Sequence, residues 1–230
     1  MTTLTLPTIT LPETQGFRLI NSKLPPIAIF NDVASPEEFA DLYALQAMTN
    51  PRLQQETGDL NYIDLDEIPW GIAGCHYAVA PFTHVNPEGS RFSNGDYGVL
   101  YIADTLQTAL AEVTHHQRHY LANIEDLKFD RIVLRGLACT FTADNVHDAT
   151  QLPIDHDIYH PDSYAAARAL GSECRANGSP GIQYHSVRQP GATCWGLFTP
   201  RIIQAVKQSA HYELIVRDGN IIGKKKLVSV

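Results

Sequence analysis

Four residues in this chain have types and spacing that suit one ligand. Arg91 follows Gly89-Ser90 in a glycine-containing turn, Tyr101 lies in an apolar run just beyond it, and Glu112 falls in the next stretch of helical periodicity. Much later, Gly181-Ile-Gln-Tyr-His-Ser-Val-Arg188 offers Ser186 on a short strand. An arginine on a turn can grip a diphosphate through two parallel hydrogen bonds from its planar fork. A tyrosine among apolar strand neighbours gives a face to a flat ring and a hydroxyl to a polar edge. Glu112 is flanked by Ala109, Leu110, Ala111 and Val113, which predicts partial burial, and carboxylates are rarely buried without a partner or a task. Its task would be to place negative charge where a sugar becomes cationic, or to hold a sugar hydroxyl. The first three side chains therefore suit a ligand with a pyrophosphate, a flat ring and a glycosidic bond.

Each residue also has a plain structural reading. Arg91 could pair with Asp96 or Glu88, Tyr101 could be a core residue with its hydroxyl at the rim, and Glu112 could pair with Arg91 or a histidine of the next turn. Ser186 could simply end a strand. No G-x-S-x-G elbow surrounds it, which argues against a nucleophile of the hydrolase type and for a hydroxyl that positions phosphate or ribose. Ten histidines raise a metal reading. His115 and His119 have the i, i+4 spacing that can bind zinc from one helix face. His115-His116-Gln-Arg-His119 lacks the glutamate of HExxH, so the expectation is a polar helix flank and no metal. Neither GxGxxG nor GxxxxGK[ST] occurs.

The elements that must position these residues can be read from periodicity and punctuation. Residues 1–27 are Thr- and Pro-rich and read as an extended arm lying on the body or on a partner. A helix starts at Ser35-Pro36, with serine as cap and proline in its first turn, and Phe39, Leu42 and Leu45 on its apolar side. Asn50-Pro51-Arg52 ends it. Residues 71–82 are β-prone and read as a strand. Residues 97–103 are a strand with Val99, Tyr101 and Ala103 on one face and Leu100 and Ile102 on the other. Asp104 or Thr105 caps a helix running to about Asn123, with Leu106, Ala109, Leu110, Val113, Tyr120 and Leu121 as its buried stripe. Strands are expected at 131–135, 137–142, 181–187 and 193–198. An Ala-rich helix capped by Asp162 or Ser163 stops near Asn177-Gly178. Residues 211–222 form a hairpin around Asp218-Gly219. Strands outnumber helices without alternating with them, so the fold class is α+β.

Bulk properties exclude several classes. The chain has 230 residues, enough for a sizeable core, with 44% hydrophobic and 18% charged residues. Its net charge of −8 argues against a broad nucleic-acid-binding surface. The four cysteines form no CxxC pair, which argues against a zinc ribbon or a disulfide framework and for a reducing, cytoplasmic setting. The N-terminus has no signal-peptide pattern, and no apolar run approaches the ~18 residues of a membrane span.

Arg91, Glu112 and Ser186, in this order and context, resemble the three residues for which the RES family is named, and Tyr101 fits the same pattern. The resemblance runs from about Asn50 to Phe198. It also includes Asn50-Pro-Arg, Pro81-Phe-Thr-His84, Ser90-Arg-Phe-Ser-Asn-Gly-Asp-Tyr-Gly98, Thr108-Ala-Leu-Ala-Glu112, and Ser186-Val-Arg188 with Cys194. These segments resemble the longer subgroup of the family. The resemblance implies an ADP-ribosyltransferase-like fold of mixed sheets with flanking helices, an N-terminal arm and helix over 1–49, and a catalytic domain over 50–230. It implies a toxin of a toxin–antitoxin pair that cleaves NAD at the nicotinamide–ribose bond, with phosphate or water as acceptor. NAD would be a substrate, not a resident cofactor, and phosphate a co-substrate. Glu112, Arg91, Tyr101 and Ser186 would be catalytic, and Arg91, Tyr101, Ser90 and Ser186 would bind the dinucleotide. The implied partner is an Xre-type helix-turn-helix antitoxin that plugs the site; no membrane or direct nucleic-acid contact is expected, and a homodimer stays open. Transfer of ADP-ribose to a protein, or a nucleotide-binding module without catalysis, stay open as alternatives.

Overall fold

In the computed structural model, which describes residues 5–23, 28–124 and 130–229, seven strands form one mixed sheet flanked by helices. The strands are β1 (Thr8–Asn21), β2 (Leu100–Ala103), β3 (Arg131–Asp148), β4 (Gly181–His185), β5 (Thr193–Leu197), β6 (Ile203–Arg217) and β7 (Asn220–Ser229). The helices are α1 (Pro36–Ala47), α2 (Leu53–Thr57), α3 (Cys75–Thr83), α4 (Leu106–Ala122) and α5 (Ala165–Ala176), joined by short 3₁₀ turns. Spatial order is β1-β2-β5-β4-β3-β6-β7, and β1 pairs with β3 as well as with β2. The first five strands in that order therefore close on themselves, which removes the free edge of β1 and leaves β7 as an edge. All pairings are antiparallel except β3 with β4.

Of the proline-rich arm read over 1–27, residues 1–4 and 24–27 lie outside the described residues, and Thr8–Asn21 is a sheet strand. Phe17 sits opposite Ala103 of β2, while Arg18 sits opposite Leu137 of β3. Gly16 lies where a Cβ would collide with the Ile102 side chain, so the close approach of β1 to β2 requires glycine there. Alternation along β2 comes out as read. Val99, Tyr101 and Ala103 face the core beneath α4 and α5, and Leu100 and Ile102 face the core that includes Tyr77, Ala78 and Phe82 of α3. A third core gathers Phe30, Phe39 and the buried side of α3.

Several readings need correction. Residues 71–82 are not a strand: Gly74, at φ 74°, turns the chain into α3. Almost every residue of this helix is buried, so neither a 3.6 nor a 2.0 period survives to separate helix from strand. The expected strands at 131–135 and 137–142 are one strand, with the register slipping at Gly136. The Ala-rich helix starts one residue later than read: Tyr164 sits at the cap position without a side-chain bond, and the backbone N–H groups of Asp162 and Ser163 turn back to the ring Nδ1 of His160. Leu45 of α1 and Tyr120 of α4 are 64% and 60% exposed, outside the stripes assigned to them. Other elements match their signals. Ser35 and Thr105 cap α1 and α4 through their side chains. Asp218 and Gly219 both have positive φ, as a two-residue hairpin turn requires.

Candidate active site

Gly89, at φ 81°, opens the turn that carries Arg91. The turn closes on itself through a bond from Ser90 N to Ser93 O at 2.7 Å. It is then fixed from two sides. From β2, the Tyr101 hydroxyl accepts from Phe92 N at 2.9 Å and shares a hydrogen bond with Ser90 Oγ at 2.8 Å. From α5, Arg168 donates to Ser90 O at 3.0 Å and Glu88 O at 2.8 Å. Gly171 lets α5 come this close, since a Cβ there would strike the Phe92 carbonyl. Burial pushes the Tyr101 phenol up to about 12, against the opposing pull of its two hydrogen bonds and of Arg91. Tyr101 is therefore neutral at ordinary pH, and its hydroxyl is committed to the turn.

Arg91 is paired with neither Asp96 nor Glu88. Its Nη1 donates to Ile158 O at 2.9 Å and His160 O at 3.2 Å, and its guanidinium lies 4.5 Å over the Tyr164 ring. Among the described residues no carboxylate forms an ion pair with it. Two carbonyls and a ring orient the cation without neutralising it, which leaves its charge for an anionic ligand.

Glu112 and Ser186 meet directly: Ser186 Oγ donates to Glu112 Oε1 at 2.6 Å. Ser186 is buried just past β4, and its oxygen accepts from Arg188 N at 3.2 Å and Gln189 N at 3.0 Å. Its one proton points at the Glu112 carboxylate and its lone pairs are engaged by backbone N–H groups. Buried Tyr184 lies between the two halves of the site. Its ring meets Phe92 edge-on at 4.8 Å. Burial raises its phenol well above the usual value; Glu112 and Tyr101 add to that rise and Arg91 opposes it. On α4, desolvation lowers His116 while Glu112 draws it up and Arg188 and Arg91 push it down. Burial, then Glu112 and Asp104, raise the buried Cys194 thiol, which makes it unreactive. Tyr101 holds the Arg91 turn, Ser186 holds Glu112, and Tyr184, two residues before Ser186 and edge-on to Phe92 of that turn, joins the two pairs, which come from a turn, a strand, a helix and a strand end.

Two cavities border this region. One, of about 330 Å³, is lined by Ser186, His185, Val187, Tyr159, Ile154 and Gly191 and is mostly apolar. The other, about 130 Å³, lies behind Tyr101 and Ser90 and includes Arg18. Arg18 was missed by the sequence reading. It sits on β1, donates to Tyr101 O at 3.4 Å, and has no carboxylate partner among the described residues. Desolvation lowers its guanidinium from the usual value. Its only sequence signal was a lone cation in an apolar run, Gly16-Phe-Arg-Leu-Ile20.

A family model described as the RES domain matches residues 68–217. A protein of Sinorhizobium fredii, "Uncharacterized protein y4oC", is 29% identical over 201 residues, covering 86% of this chain and 81% of that one. A solved structure, the Mycobacterium tuberculosis MbcT–MbcA toxin–antitoxin complex, contains a chain 14% identical with a TM-score of 0.37, covering 53% of this chain and 72% of that chain. The family match spans most of the chain and contains Arg91, Tyr101, Glu112 and Ser186, so this protein belongs to the RES domain family.

Proposed function

We propose that this chain is the toxin of a toxin–antitoxin pair and that it breaks the nicotinamide–ribose bond of NAD on an ADP-ribosyltransferase-like scaffold. The observation that carries the reading is the Ser186–Glu112 hydrogen bond beside an oriented, unneutralised Arg91. A fixed carboxylate near a cation that has no carboxylate of its own suits a substrate with an anionic centre and a bond that breaks to a cation.

In this reading Arg91 grips the pyrophosphate, with Arg18 adding charge from behind Tyr101 and Ser90 lending a hydroxyl. The Tyr101 ring packs against the nicotinamide or its ribose, while its hydroxyl keeps the Arg91 turn in place. As the C1′–N bond breaks, its electron pair leaves with neutral nicotinamide and the ribose becomes an oxocarbenium ion. Glu112 faces that charge. Because Ser186 already fixes the carboxylate, it needs little reorganisation when the charge appears. Attack by phosphate gives ADP-ribose phosphate, and attack by water gives ADP-ribose and a proton. The 330 Å³ apolar cavity beside Ser186 has room for one of the two ring systems. The proposed antitoxin is an Xre-type protein that silences the enzyme by setting a carboxylate against Arg91 or a cation against Glu112.

The test is to incubate the purified chain with NAD, with and without phosphate, and follow nicotinamide release. Loss of NAD only with phosphate identifies a phosphorylase, and loss without it a glycohydrolase. Loss only when a protein acceptor is added identifies a transferase. An intact NAD pool under all three conditions overturns the reading and leaves a nucleotide-binding module.

A further inference from the structure

The histidine pair of α4 gains a third potential ligand that the sequence did not reveal. Ring atoms of His115 and His119 and a carboxylate oxygen of Asp162 all lie within 4.8 Å of one another. The two rings are 4.7 Å apart at 77°, an i, i+4 pair on one helix face. Asp162 arrives from the segment before α5. Among the described residues no hydrogen bond holds the Asp162 carboxylate or the ring nitrogens of the two histidines. His119 and Asp162 are exposed, so their side chains can rotate to draw the three ligand atoms in to the shorter separations of a tetrahedral site.

We infer that His115, His119 and Asp162 bind one divalent ion of the zinc class and that the ion fastens the segment before α5 to α4. Two imidazoles and one carboxylate suit borderline ions such as Zn²⁺ or Co²⁺, with water in the fourth position, and do not suit magnesium or calcium. The charged and titratable neighbours are Arg188 and His116. Arg188 acts on His115 and donates to Pro161 O next to Asp162. That nearby cation opposes a second positive charge, so the negative charge of Asp162 is essential to the site.

The consequence lies in what the segment already holds. Ile158 O and His160 O orient Arg91, and Pro161 O holds Arg188. Glu112 lies one helical turn before His115 on α4. An ion at this point would tie the wall that orients Arg91 to the helix that carries Glu112. The site is distinct from the NAD-cleaving residues and does not depend on that reading.

The test uses the full chain without a purification tag, stripped with chelator and titrated with Zn²⁺ by calorimetry and with Co²⁺ by visible absorption. One ion per chain is expected. His119→Ala and Asp162→Asn should each weaken binding by at least about 10–100-fold, the range seen even for groups that only support a metal's ligands. Both positions are exposed, and unchanged circular dichroism will show that the variants are folded. Zinc should also slow hydrogen exchange over residues 157–163 in the wild type and not in His119→Ala. No saturable binding, or binding that survives both substitutions, overturns the site. Binding without added protection of residues 157–163 overturns the fastening.

Discussion

Glu112 is the residue on which the chemistry turns, and its charge matters more than its shape. Glu112→Gln keeps the acceptor for Ser186 Oγ but removes the negative charge facing the cationic sugar. By analogy with removal of one electrostatic stabiliser, turnover of NAD should fall about 10²–10³-fold with the fold intact. Near-normal nicotinamide release by a folded variant would discard the assignment. Arg91→Lys tests the neighbouring cation. A lysine cannot serve two carbonyls, lie flat on Tyr164 and still present a planar fork, so NAD affinity should drop and turnover with it. Affinity and rate equal to wild type would reduce Arg91 to a structural residue. Residue types made Arg91, Tyr101 and Glu112 candidates before any fold was known; for Glu112 the reason was a carboxylate among apolar helix neighbours, which rarely goes without a partner or a task. Their pairing was not legible: Asp96, a sequence neighbour offered as a partner for Arg91, instead accepts from Asn94 at 2.7 Å.

At the scale of elements, α3 and α5 do work that their sequences conceal. His76 on α3 is buried; its Nδ1 faces Asn31 Oδ1 at 2.9 Å and its Nε2 has no partner among the described residues. Burial, helped by Arg135, lowers its ring to about 4. The unfolded chain takes up this proton near the ordinary value of about 6.5 and the folded chain only near 4. Between those values the unfolded state binds more protons, so stability must fall as pH drops through this window. Chemical denaturation from pH 7 to 4 should show the slope, and His76→Gln should reduce it, the remainder coming from His115 and His116, whose rings are also lowered; an equal slope in both proteins would place the acid sensitivity elsewhere. On α5, Gly171→Ala should destabilise by about 1–3 kcal/mol despite alanine's better helix propensity, because its Cβ meets the Phe92 carbonyl. The same shift would disturb the Arg91 turn. A higher melting temperature for Gly171→Ala would show that α5 can yield.

For the whole molecule, the decisive feature is β1, which closes the sheet by pairing with β2 and β3 together. Removing residues 1–21 would strip β3 of a partner along most of its length and open the cavity behind Tyr101. The shortened chain should fail to unfold cooperatively, as judged by calorimetry; a sharp transition like that of the full chain would show that the closure is dispensable. The proposed NAD cleavage also has a cellular consequence. Expression of the chain alone in bacteria should arrest growth and deplete NAD, and Glu112→Gln should abolish both effects. Normal growth with undiminished NAD from soluble protein would rule out the toxin reading.

Local pattern alone determined the α+β class, the faces of β2, the cap of α1 and the terminal hairpin, and narrowed the cap of α4 to two neighbours. Each of these depends on residues within a few positions of one another, where steric and hydrogen-bonding preferences act directly. It also supplied the family pattern carried by Arg91, Tyr101, Glu112 and Ser186. Only the tertiary structure decided that Ser186 donates to Glu112 from 74 positions further along the chain, that the Tyr101 hydroxyl holds the Arg91 turn, and that Arg18 lies behind it. It alone made α3 a helix and brought Asp162 to His115 and His119. Periodicity reports which face of an element is buried. It does not report which distant strand or loop covers that face, because long-range pairing is settled by closure of the sheet and by packing.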